Sequence, residues 1–252
     1  MTLRERLASG ETLVGTFAKL AGPDPAGVLA GAGFDFAIVD REHSQLSDDD
    51  ARALVRAMRA AGLPALVRVP TLDRGEVNRL LEAGAAGIQL STTRSAAQAR
   101  GLRQAVRYAP GGARSISLAH AQAGYGALGL ADYLAASDGS KAPLAVVQLE
   151  TATTDDPPAE ILSAGVDVAF VGSTDLLVDV GLDAAAASDR TAAIVAAASE
   201  AGVPWGGFVG DAAAAQRMAA DGARYVVVSS DLALLGAACR QAALAAREGV
   251  RA

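Results

Sequence analysis

Three observations predict a (β/α)8 TIM barrel, one domain over residues 1–252. Eight short apolar runs alternate with longer runs of helical period, the pattern of repeated βα units around a parallel sheet. Most helical runs close alike, on Ala-Gly or Asp-Gly, a few residues and then an apolar run, as in AAGLPALVRV, EAGAAGIQL, SAGVDVAFVG and DGARYVVVS. Each reads as a helix C-cap, a short loop and a parallel strand. The length matches the roughly 250 residues that a closed barrel of eight such units takes. An open doubly wound sheet is the alternative.

In chain order the strands are TLVGTFA (12–18), FDFAIVD (34–40), PALVRV (64–69), AGIQL (86–90), PLAVVQLE (143–150), DVAFVG (167–172), PWGGFVG (204–210) and RYVVVSS (224–230). Between them, Ser47 caps a helix through DDDARALVRAMRAAG, with three acids in its first turn and a Gly at its end. Further helices run through RGEVNRLLEAG, SAAQARGLRQAVRY, ADYLAAS, PPAEILSAG, DRTAAIVAAASEAG, DAAAAQRMAADG and DLALLGAACRQAALAARE. Residues 109–142 break the rhythm: rich in Gly and Ala, they read as a long βα connection on the active-site rim. His120 within it reads as a solvated loop residue, and Cys239 in the last helix as a small buried hydrophobe.

Composition narrows the function classes. A net charge of −6 without basic clusters gives no footprint for nucleic acid. The N-terminal MTLRERLASGETLVG has no apolar signal core, and no run of 18 apolar residues offers a membrane span, so a cytoplasmic protein is expected. One cysteine permits no internal disulfide, as suits a reducing compartment. The chain contains no P-loop or Cys/His metal cluster.

Barrel chemistry sits where strands end, so polar residues closing apolar strands are the candidates. Glu150 closes the fifth strand, and Gln148 shares its face. Asp175 follows the sixth. Two carboxylates at neighbouring strand ends suit a hard octahedral cation such as Mg²⁺ or Mn²⁺; alternatively Glu150 caps a helix or pairs with a surface Arg. Arg68 lies within an apolar strand and needs an anionic partner, either a substrate oxyanion or an internal carboxylate. His43, among Asp40, Arg41 and Glu42, is an acid/base candidate or a hydrogen-bonded surface residue. The backbone of Gly172, Ser173 and Thr174 could hold a carboxylate at a helix start.

With these residues the chain resembles the HpcH/HpaI aldolase family, the metal-dependent class II pyruvate aldolases. The resemblance runs from about residue 12 to 240, through LAGAGFDFAIVDREHS, VRVP, LLEAGAAGI, RYAPGGAR, VVQLET and DVAFVGSTDLLVDVG. It implies a barrel of the phosphoenolpyruvate/pyruvate type, assembled as a hexamer (a trimer of dimers) with the last helix exchanged within a dimer. It implies Glu150 and Asp175 as ligands of Mg²⁺, Mn²⁺ or Co²⁺. Arg68 then stabilises an enolate oxygen, and His43 is the acid/base group, oriented by Asp40 and Glu42. Gln148 and the stretch Ser173 to Asp175 form the pocket for a 2-oxo acid that reacts with an aldehyde. Glu82 falls where the family has an Asp assisting the histidine.

The chain departs from the family pattern around its mouth. Gln89-Leu90-Ser91-Thr92-Thr93 replaces a Val-Pro pair, Tyr108-Ala109-Pro110 and Arg114-Ser115 alter the following loop, and Gly172-Ser173 replaces Gly-Pro. These changes leave the acceptor and reaction direction open. Decarboxylation with condensation, as in the macrophomate-synthase branch, is a second enzymatic reading. A non-catalytic barrel binding an acidic metabolite is a third, from a different class.

Overall fold

In the computed structural model, which describes residues 1–250 and side chains through Arg247, eight parallel strands close into a barrel in sequence order. The expected residues 251–252 of the barrel domain lie outside the described residues. The order is α1 (Leu3–Ala8), β1 (Leu13–Ala18), α2 (Pro23–Gly31), β2 (Phe36–Asp40), α3 (Asp48–Ala60), β3 (Ala65–Val69), α4 (Arg74–Ala83), β4 (Gly87–Leu90) and α5 (Ala96–Val106). It continues with α6 (Leu130–Ala136), β5 (Leu144–Leu149), α7 (Pro158–Leu162), β6 (Val168–Val171), α8 (Ser173–Asp179), α9 (Ala184–Glu200), β7 (Trp205–Val209), α10 (Ala212–Ala220), β8 (Tyr225–Ser230) and α11 (Asp231–Val250). The fold is the (β/α)8 barrel that the alternating runs predict. Each of the eight strands lies within its predicted range.

Alternation along the strands divides the core in two. One set of side chains, including Phe36, Ile38, Leu66, Val146, Phe170 and Tyr225, fills the barrel interior. The other set, including Val39, Val67, Val147, Leu149 and Val171, packs under the helices. Phe36 and Tyr225 stack in the interior with ring centroids 4.4 Å apart. They fit because β1 carries Gly15 there; a Cβ would stand 2.4 Å from the Phe36 ring. Leu3 and Leu7 of α1 join this interior cluster. The Ser47 cap forms as expected: its hydroxyl accepts from the Asp50 amide, and the Asp50 carboxylate accepts from the Ser47 amide.

Three expectations are corrected. Residues 109–142 do not connect a strand to a helix. They follow α5 and lead into β5, so they belong to the αβ side, away from the strand C-termini. The segment lies against α4, where Arg114 donates to Asn78. His120 is not a solvated loop residue: it is buried, its Nε2 2.9 Å from the Ser117 carbonyl oxygen and its ring edge-on to Tyr133. Cys239 is exposed, because α11 packs against β1 and β8 and leaves its outer face uncovered within the chain.

Candidate active site

Parallel closure brings all strand C-termini to one mouth, and register decides which residues become neighbours there. Asp40 pairs with Arg68, and Arg68 with Gln89. Asp40 is fully buried, and Arg68 meets it with two prongs: Nε to Oδ1 at 2.9 Å and Nη2 to Oδ2 at 2.7 Å. The remaining nitrogen, Nη1, is 3.3 Å from Glu42 Oε2. The Phe17 ring lies 4.4 Å from the guanidinium carbon. Lys19, just past β1, places Nζ 3.1 Å from Asp40 Oδ2 and donates to the His43 carbonyl at 3.0 Å.

Burial works to raise the pKa of Asp40, but hydrogen bonds and charge from Arg68, with help from the His43 amide and Lys19, outweigh it. They hold the carboxyl at about 2, against an ordinary 3.8. A carboxylate with a depressed folded-state pKa stabilises the fold above its unfolded pKa and loses that contribution as pH falls through the folded value. Melting temperatures of wild type and Asp40→Asn should therefore differ most above pH ~4 and converge as pH falls towards ~2. A constant difference across that range would mean that the charge of Asp40 does not carry the stabilisation.

The second half of the site lies on β4, β5 and β6. Glu150 is nearly buried, and its Oε1 accepts from the Thr92 amide at 2.6 Å and the Thr92 hydroxyl at 2.8 Å. Its Oε2 accepts from Gln148, whose own oxygen accepts from Gln89 at 2.6 Å. Gly172 makes room for that carboxylate: a Cβ there would stand 2.3 Å from Oε2. Burial pushes the pKa of Glu150 up, against hydrogen bonds from Gln148 and Thr92, and the nearby charge of Asp175 pushes it further. A buried carboxylate beside an open one suits a divalent cation whose other positions go to water and substrate oxygen. No group of three or more His, Cys, Asp or Glu arranged for a metal occurs among the described residues.

Between the halves is a cavity of about 280 Å³. Arg68, His43, Gln148, Ser173, Thr174 and Asp175 all line it, together with Lys19 and the rings of Phe17, Phe170 and Phe208. The structure thus brings together the residues singled out on β2, β3, β5 and β6. Two details differ from expectation. Asp40 holds the backbone of Glu42 and His43, through their amides at 3.1 Å each, rather than the imidazole. The group nearest that ring is Glu42, whose Oε2 lies 3.9 Å from Nε2. The His43 side chain is 57% exposed, at the mouth.

Glu82 lies apart from this cavity within the chain. It sits in the last turn of α4, which runs antiparallel to the strands, so it lies at the opposite end of the barrel from His43. Its carboxylate accepts from Asn78 at 3.0 Å, and within the chain it does not reach the histidine. Three participants escaped sequence reasoning. Lys19 has no assigned role in the sequence reading, and Ser91 and Thr92 enter it only as departures from a motif. A polar residue directly after a strand was the available signal in each case.

A family model described as HpcH/HpaI aldolase/citrate lyase matches residues 13–238. A hydroxypyruvate/pyruvate aldolase of Roseovarius nubinhibens is 33% identical over 249 residues, covering 95% of this chain and 94% of that protein. An HpcH/HpaI aldolase/citrate lyase family protein from Burkholderia cenocepacia J2315 superposes with a TM-score of 0.88 at 32% identity, covering 97% of this chain and 98% of that one. An HpcH/HpaI aldolase from Desulfitobacterium hafniense DCB-2 gives a TM-score of 0.89 at 28% identity, with 98% and 97% covered.

Proposed function

Since this chain belongs to the HpcH/HpaI aldolase/citrate lyase family, we propose that it is a divalent-cation-dependent aldolase acting between a pyruvate-type enolate and an aldehyde. It is a carbon–carbon lyase, and its substrates are 4-hydroxy-2-oxo acids, made or split according to supply. The observation that carries this reading is the cavity lined on one side by Arg68, which Asp40 holds, and on the other by Asp175 and by Gln148, the donor to Glu150.

Glu150 and Asp175 are the residues that would hold Mg²⁺, Mn²⁺ or Co²⁺. Such a cation, when bound, supplies Lewis-acid stabilisation of the charge that develops on the 2-oxo group. The chain's own residues do the rest. Gln148 and the first turn of α8, with Ser173 and Thr174, orient the 2-oxo acid; amides in a first turn lack helical partners and suit a carboxylate. His43 removes the proton from the C4 hydroxyl, and the C3–C4 bond breaks to release the aldehyde. The electron pair moves onto the 2-oxo oxygen, where Arg68 Nη1 donates to the resulting enolate. A proton returned to C3 gives pyruvate. Asp40 keeps Arg68 in place and also holds the amides of Glu42 and His43, so one carboxylate aligns both groups.

A cytoplasmic homohexamer built as a trimer of dimers, with α11 exchanged, accords with this reading. Leu232, Leu235 and Leu244 on α11 are more than half exposed within the chain. No helix among the described residues is long and apolar enough to cross a membrane.

The test is proton exchange at the pyruvate methyl group in D₂O, followed by NMR on EDTA-stripped protein with and without Mn²⁺ or Mg²⁺. Cation-dependent exchange is expected. His43→Ala should retain it while losing aldol cleavage by a factor of roughly 10²–10⁴, because only the hydroxyl proton transfer needs that base. An absence of exchange with every cation would remove pyruvate as the enolised substrate. Unimpaired cleavage in His43→Ala would make that residue structural.

A further inference from the structure

We propose that Thr92 is a positioning residue for Glu150, selecting the carboxylate orientation that the cation site requires. The inference rests on the reading of Glu150 and Asp175 as cation ligands. Thr92 has φ 45°, a left-handed conformation that β-branched residues rarely adopt. Glycine would take that backbone without strain and would keep the amide. What threonine adds is its hydroxyl, and the hydroxyl goes to Glu150 Oε1, the same oxygen the Thr92 amide holds. One residue in a costly conformation thus spends both donors on one atom.

The neighbours hold the loop in place. The Thr93 amide donates to the Gln148 carbonyl at 2.9 Å, tying the loop to β5 two residues before Glu150. The Thr93 hydroxyl donates to the Leu90 carbonyl at 3.0 Å. The Ser91 hydroxyl donates to Glu42 Oε1 at 2.7 Å, and Glu42 is the acid beside Arg68 Nη1. Ser91, Thr93 and Glu150 are all buried, so these bonds form with little competition from water. With Oε1 fixed by the two Thr92 donors and Oε2 by Gln148, the carboxylate plane is set, and Oε2 stands over Gly172, three residues before Asp175. A carboxylate free to turn about χ3 would spend part of its time with that oxygen elsewhere. Residues that orient a ligand in this way are worth tenfold or more in metal affinity.

The experiment is an EPR titration of Mn²⁺ into EDTA-stripped protein without substrate, so that turnover plays no part. Thr92→Val keeps the shape and amide but not the hydroxyl, and should weaken Mn²⁺ binding about tenfold; Thr92→Ser should stay within about threefold of wild type. Thr92→Gly deletes the same hydroxyl while relieving the φ, and covers the case in which Val destabilises the loop. It should melt no lower than wild type yet bind Mn²⁺ as weakly as Val. Wild-type affinity in both Val and Gly, with binding abolished in Glu150→Gln, would overturn the role of Thr92 and leave the ligand assignment standing. Wild-type affinity in Glu150→Gln itself would overturn the ligand assignment and this proposal with it.

Discussion

Glu150→Gln abolishes carbon–carbon cleavage, with kcat expected to fall by roughly three orders of magnitude or more, while the barrel melts at or above the wild-type temperature. The two halves of this expectation have one cause. Glu150 is ionised only at the expense of burial and of repulsion from Asp175, and Gln148 and Thr92 offset part of that cost. The neutral isostere removes the charge and still offers an oxygen to the Thr92 donors. The apo fold gives up the Gln148 hydrogen bond to the second oxygen, but it sheds the cost of a buried charge and the repulsion from Asp175, which outweigh it. Activity loses a cation ligand outright. Gained stability with lost turnover is the pattern of a residue kept for function at the expense of the fold. Thermal melts and steady-state rates on the same samples check it. A large drop in melting temperature would make Glu150 a structural acid, and near-normal wild-type rates in EDTA would dispose of the cation altogether.

The parts of this site that could be read in the sequence are those governed by local rules. Strand alternation puts Arg68 with Leu66 and Gln148 with Val146 on the inward face, and these side chains do point inward. A carboxylate closing β5 and another in the first turn after β6 single out Glu150 and Asp175, because all strands end at one mouth. Where the reading failed, the missing quantity was either direction or a distant partner. Residues 109–142 have loop composition, but composition does not say which barrel face a loop serves. The chain order does, since α5 precedes the segment and β5 follows it. Glu82 shows the same rule: the end of a helix lies at the barrel end opposite the end of a strand, so within one chain it stands away from His43. Thr92 and Ser91 could not be assigned from local pattern, because their acceptors, Glu150 and Glu42, are 58 and 49 residues away in sequence. The short helix α1 was overlooked although Thr2 and Glu5 form a capping box that its sequence announces.

Arg68→Lys is the sharper of the possible changes at its position, because it separates the two readings of a buried arginine. Arg68→Ala would leave Asp40 and Glu42 at the mouth without their main partner, costing stability on the order of 3–5 kcal/mol, so any lost rate would be confounded with lost structure. Lysine keeps one positive charge near Asp40, and Lys19 already stands 3.1 Å from the same carboxylate. The fold should therefore survive. What lysine cannot reproduce is the planar fork, in which Nε and Nη2 are held by Asp40 while Nη1 is aimed by them. If Nη1 donates to the enolate oxygen, its loss costs about 3 kcal/mol in the transition state, a factor of ~10² in turnover. Because the contact strengthens only as the enolate forms, kcat and kcat/KM should fall together while KM changes little. Exchange of the pyruvate methyl protons should fall by the same factor, since it passes through the same enolate. A stable Arg68→Lys protein with kcat within threefold of wild type would leave Arg68 as the internal partner of Asp40 and nothing more.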